Sequence, residues 1–153
     1  DNLAPAGLDV QGANGGVAGT LDAGDAVTFT YSEPMLPSSL RVGWDGSPAT
    51  VTVEVGNGRT DRLEVVGVEL GSVFLGTRDA VAGRVRFAAS LARVGPATFE
   101  LTLGPCTTRC ARLRSGVRPT TYEWRPSARA TDLAGNRTWT SRVPLRGGPA
   151  QNL

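Results

Sequence analysis

The chain has 153 residues, 40% of them hydrophobic, with 16 basic and 14 acidic side chains and a formal net charge of +2. That length suits one domain able to bury roughly 70% of its unfolded surface, and that composition excludes a disordered tail. The chain has no histidine and all its basic residues are arginine, which excludes Ser-His-Asp and Cys-His catalysis, ordinary zinc ligation, Schiff-base chemistry and lysine isopeptide crosslinks.

In chain order, strands are expected first at Gly7 to Val10 and Val17 to Leu21. Ala26 to Tyr31 alternates Val27, Phe29 and Tyr31 with Thr28 and Thr30, the period-two pattern of a half-buried strand. Pro34 and Pro37 frame a loop suited to a chain crossing between sheets, and Leu40 to Trp44 follows as a strand. Ala49 to Val55 presents Val51, Val53 and Val55 on one face; Gly56-Asn57-Gly58 then turns the chain into Arg62 to Val68, the clearest hairpin. Further strands are expected at Ser72 to Thr77, Arg84 to Ala89, Ala97 to Leu103, Thr121 to Ala130 and Arg137 to Leu145, the last two joined by Asp132-Leu133-Ala134-Gly135-Asn136. Helix is expected only as a turn around Cys106 to Arg114, with Ala88 to Val94 a weaker alternative.

About ten short strands, with Gly and Pro at the turns, predict an all-β antiparallel sandwich of 8 to 10 strands rather than βαβ units. One domain is expected over residues 1–153, with tails at about 1–6 and 147–153. No apolar run reaches the roughly 18 residues of a membrane span, and the charged start is not a signal peptide. Any export signal is expected to lie outside this segment.

Charge is unevenly distributed. Residues 1–77 hold ten acids and three arginines, a balance of −7, whereas residues 78–153 hold thirteen arginines and four acids, a balance of +9. In a sandwich with interleaved halves this gives either complementary surface charge or one basic face. The densest part of such a face is Arg109, Arg112, Arg114 and Arg118, ten residues without an acid, which suits an acidic polymer such as one of the cell envelope, an anionic lipid surface or the acidic half of a neighbour. Nucleic acid is not expected as a partner, because only Tyr122 and Trp124 lie near these arginines and no nucleic-acid fold signature accompanies them.

Cys106 and Cys110 are the only cysteines. On an extended strand their Cα atoms would stand about 13 Å apart, but on a helical turn or compact loop about 6 Å, within reach of a disulfide. A bridge is expected, forming a knuckle in an exported protein. A redox motif would have two intervening residues, and a metal site would need further ligands.

Three segments carry a family resemblance. Asp1-Asn2-Leu3-Ala4-Pro5 resembles the D-N-x-A-P junction that opens successive immunoglobulin-like repeats of bacterial surface proteins. Gly24-Asp25-Ala26-Val27-Thr28-Phe29-Thr30-Tyr31-Ser32-Glu33-Pro34 resembles their second strand and the loop after it. Ala130-Thr131-Asp132-Leu133-Ala134-Gly135-Asn136 resembles their final hairpin. Gly43-Trp44-Asp45-Gly46-Ser47 is similar to a segment of exported actinobacterial repeat proteins in which such a domain closes the array.

The resemblance implies an immunoglobulin-like β-sandwich serving, without catalysis, as a spacer, structural or adhesive module on the cell surface or in a secreted protein. Its expected partners are neighbouring domains of the same chain or a cell-envelope polymer. The chain departs from the family in being longer than the usual repeat and in its Cys106 to Arg118 insertion.

Some arrays of this type bind calcium between domains, which makes Asp1, Asp25, Glu33, Asp132 and Asn136 the matching oxygen ligands. The alternative is that Asp25 and Asp132 cap turns through backbone amides. No pair among the six Glu and eight Asp is singled out for acid–base catalysis. Trp44, Trp124 and Trp139 belong either to the core or to a sugar-stacking platform, and two exposed side by side would favour the platform.

Overall fold

Period-two alternation produces strands where it is strongest. In the computed structural model, which describes residues 1–146 and 153, β1 is Gly7–Ala13 and β2 is Ala26–Tyr31, the latter with Val27, Phe29 and Tyr31 buried. β3, Ala49–Gly56, buries Val51, Val53 and Val55, and β4, Arg62–Val65, returns beside it. The remaining strands are β5 Ser72–Phe74, β6 Val85–Gly95, β7 Thr98–Thr108, β8 Glu123–Arg125 and β9 Val143–Pro144.

Every pairing is antiparallel, and the order is β1-β2-β7-β6-β3-β4-β5-β8-β9. The expected all-β sandwich is therefore present, formed by one continuous sheet that curls until β1 lies against β8 and β9. Such curling covers most of the edge that an open sheet would leave exposed. Trp124 of β8 crosses this closure to stack edge-on against Phe29 and Tyr31 of β2, at ring-centroid distances of 5.1 and 4.8 Å. Its indole nitrogen donates to the Leu70 carbonyl.

Tyr31 is nearly as deeply buried, yet its hydroxyl has no hydrogen-bond partner among the described residues. Burial pushes the phenol far above its ordinary range. An unpaired buried hydroxyl costs roughly 1 to 3 kcal/mol, so Tyr31→Phe should raise the thermal midpoint by about 2 to 6 °C. An unchanged or lower midpoint in a melting experiment would contradict this.

Several local expectations need correction. Val17 to Leu21 is a loop, turned by Gly19 at φ 84°, with only Gly19 and Leu21 buried. Leu40 to Trp44 is not a strand: the preceding loop contains one helical turn, α1 Pro37–Leu40, begun by a proline where no backbone donor is needed. Gly43 at φ 73° then turns Trp44 into the core, where its indole donates to the Ser47 carbonyl. Ala88 to Val94 is strand rather than helix, because it lies within β6. The last two expected strands shrink to β8 and β9, although the turn between them forms, with Thr131 bridging Arg137.

The N-terminal segment is not a tail. Pro5 is buried and its carbonyl accepts from Trp139, while Ala6 exchanges hydrogen bonds with Ser32. Of the expected C-terminal tail, residues 147–152 lie outside the described residues; Leu153 is buried and its carbonyl accepts from Gly19.

Candidate functional sites at the two poles

The strands run between two poles, and the sequence candidates divide between them. At the first pole the Asp1 end of the chain meets the loop after β2 and the 132–136 turn. Ligand oxygens of Asp1, Glu33 and Asp132 all lie within 4.8 Å of one another, in an open depression shared with Pro34, Leu133 and Ala134. None of the three forms an ion pair with arginine among the described residues.

Asp132 both joins this cluster and caps its own turn. One carboxylate oxygen accepts from the amides of Ala134 and Asn136 at 2.8 Å, and the other from the Asn136 side chain at 2.8 Å. Desolvation pushes its carboxyl up, but these hydrogen bonds together outweigh that and hold it below the usual carboxylate range. Asn136 also donates to the Asp1 carbonyl at 3.2 Å, which pins the first residue to the turn.

Asp25 does not join them. It precedes β2, so one strand length of about 17 Å separates its end from that of Glu33. Its two oxygens accept from the amides of Gly15 and Asp22 at 3.0 and 2.9 Å, tying the 14–25 loop together as a turn cap. Burial raises its pKa; the two backbone donors pull it down, and the nearby Asp22 charge adds to the rise.

The second pole is basic. Cys106 lies near the end of β7 and is disulfide-bonded to Cys110, with Cα atoms 5.9 Å apart. Arg109 reverses the chain between them at φ 56°, the one non-glycine residue with positive φ among those described, and a 3₁₀ turn follows over Cys110–Arg112. In the chain-entropy picture so short a closed loop contributes only about 2 kcal/mol. Cys106→Ser should therefore lower stability by at most that amount and leave the far-UV spectrum unchanged; loss of cooperative unfolding would show that the knuckle holds the fold.

The four expected arginines do not form one continuous patch. Arg112 lies over Gly83 and reaches the Ala82 carbonyl at 3.4 Å, whereas Arg109 stands on the knuckle. Arg114 and Arg118 share a cleft with Gly76, Thr77, Asp79, Ser115, Gly116, Val117 and Thr120. Arg78 sits between two of these residues and is exposed.

Sequence reasoning missed Asp61. Fully buried, it accepts from the amides of Ala80 and Val81 at 2.9 and 3.2 Å and from the Asn57 side chain at 3.0 Å. It joins the 57–61 loop to the 77–82 turn beneath the basic pole. In sequence it reads as one more turn aspartate after Gly58, and no local signal separates it from those.

The tryptophans do not make a platform. Trp124 and Trp44 are buried, whereas Trp139 is 63% exposed and stands without a second exposed tryptophan. Among the described residues no helix is long and apolar enough to cross a membrane. No family model, curated protein or solved structure matches this chain.

Proposed function

We propose that this domain is a non-enzymatic structural module of an exported, multi-domain bacterial surface or secreted protein, of the immunoglobulin-like repeat type, linked end to end with its neighbours. The observation that carries this reading is the placement of residues 1 and 153. Asp1 is held by Asn136 at the first pole, while Leu153 is held by Gly19 and packs beside Gly12 at the second. A domain with its chain ends at opposite poles adds its full length to an array. The disulfide supports an oxidising, exported location.

The first pole also has the features of a joint. Leu3, Leu133 and Trp139 are exposed around it, and Asp1, Glu33 and Asp132 offer the hard oxygen donors that calcium takes. Two copies joined directly from residue 153 to residue 1 should scatter X-rays as an elongated particle with nearly twice the maximum dimension of one copy; a compact, folded-back dimer would overturn the reading. Calcium at tenfold its dissociation constant should stabilise the tandem protein by about 1.4 kcal/mol. That gain should vanish on chelation and in Glu33→Gln, whose side chain makes no hydrogen bond among the described residues.

A further inference from the structure

Five arginines along the sheet have acidic partners, whereas Arg41, Arg93, Arg125, Arg137 and Arg146 form no ion pair among the described residues. Arg84 and Arg86 pair with Glu54, Arg62 with Glu64, Arg129 with Glu69 and Arg142 with Glu123, at 2.8 to 3.6 Å. The second pole gathers a group of unpaired arginines. Arg59, Arg78, Arg109, Arg112 and Arg118 are exposed and have no carboxylate within ion-pair distance among the described residues, and Arg114 meets Asp79 only at 3.8 Å. Part of the arginine excess in the second half of the sequence is thus paired along the sheet, and part of it stands unpaired at this end.

The backbone beneath these charges is fixed. Arg114 donates its amide to Ala80, Ala82 donates to Arg112, and Val117 donates to the Gly19 carbonyl. Asp61 ties down Ala80 and Val81, and the disulfide closes the knuckle above. Between the 76–80 and 114–120 segments lies an open cleft of about 410 Å³, with Arg114, Arg118 and the Ser115 hydroxyl among its lining groups. Arginine forks bind carboxylate, sulfate or phosphate oxygens in pairs, and a cleft already in place lowers the ordering cost of doing so.

We propose that the cleft between Arg114 and Arg118, with the exposed Arg78 on its 76–79 wall, binds an anionic polysaccharide. Its lining contains no aromatic ring, and both Tyr122 and Trp124 are buried. Base stacking, on which single-stranded nucleic acid binding relies, and stacking on neutral sugars are therefore not provided. What remains is recognition of repeated anionic groups flanked by hydroxyls. The inference is independent of how the module is linked to its neighbours.

The test compares binding of polygalacturonate and dextran sulfate with that of neutral dextran and poly(dT), by calorimetry at 50 and 500 mM NaCl. Three proteins are needed: the parent, the variant Arg78→Gln/Arg114→Gln/Arg118→Gln, and a control of equal charge change, Arg62→Gln/Arg129→Gln/Arg142→Gln. The parent should bind at least one acidic glycan and not neutral dextran, about tenfold or more weaker at the higher salt. The cleft variant should lose about tenfold at low salt and the control less than twofold. A carboxylate source predicts tighter polygalacturonate, a sulfate source tighter dextran sulfate.

Equal loss in the control would assign binding to net charge and overturn the site. So would tighter binding of poly(dT) than of either glycan. Salt-sensitive self-association lost only in the cleft variant, without glycan binding, would place a second copy in the cleft and likewise overturn the proposal. Matching melting curves for the three proteins would establish that any loss is not unfolding.

Discussion

Trp124→Ala should lower the thermal midpoint by about 10 to 15 °C, whereas Trp139→Ala should leave it within about 2 °C. The difference follows from position. Trp124 is fully buried, touches two aromatic rings on a strand distant in the sheet order, and satisfies the Leu70 carbonyl. Truncation removes a large apolar side chain, leaves a cavity lined by Phe29 and Tyr31, and withdraws a donor, for a cost of roughly 3 to 5 kcal/mol. Because the ring spans the closure of the sheet, its loss should also expose β1 and β9 to hydrogen exchange. A cost below about 1 kcal/mol would mean that the backbone pairing alone keeps the sheet curled.

Asp61→Ala should be similarly costly, at roughly 3 to 5 kcal/mol in urea unfolding, while Asp79→Ala on the same turn should change stability by no more than about 0.5 kcal/mol. Both are aspartates of the second pole, but Asp79 is exposed and forms one loose ion pair. Asp61 accepts three hydrogen bonds in the interior, and alanine would strand two buried amides and an asparagine amide. The loosened 77–82 turn carries one wall of the basic cleft, so anion binding should weaken along with the fold. If Asp61→Ala unfolds like the parent, packing of Ala80 and Val81 is sufficient to hold the turn.

Alternation alone located β2 to the residue and β3 to within one, since each has one face against the core and the other toward solvent. The 132–136 turn was equally readable, because aspartate followed by Gly135 at φ 89° is local chemistry. Other features depended on distant residues. Asp25 and Asp132 look alike in sequence, and only the direction of β2 sets them at opposite poles. Asp61 is buried by amides 19 and 20 positions away, and the continuity of the sheet depends on β1 meeting β8 and β9 across most of the chain. The expected strand at Leu40 to Trp44 failed because a glycine of positive φ turned an apolar run inward instead of along a neighbour.

The placement of residues 1 and 153 at opposite poles also determines how the domain carries tension. β1 starts at the first pole and pairs antiparallel with β2 from Gly7 opposite Tyr31 to Ala13 opposite Ala26. A pull on residue 1, with residue 153 anchored at the far end, acts along β1 and across its hydrogen bonds with β2. Those bonds are then loaded together in shear rather than opened one at a time as in a zip. Attachment through Ala13 and residue 153, both at the second pole, would peel β1 away in sequence. The same domain should therefore yield at a much higher force when stretched pole to pole than when pulled from one end.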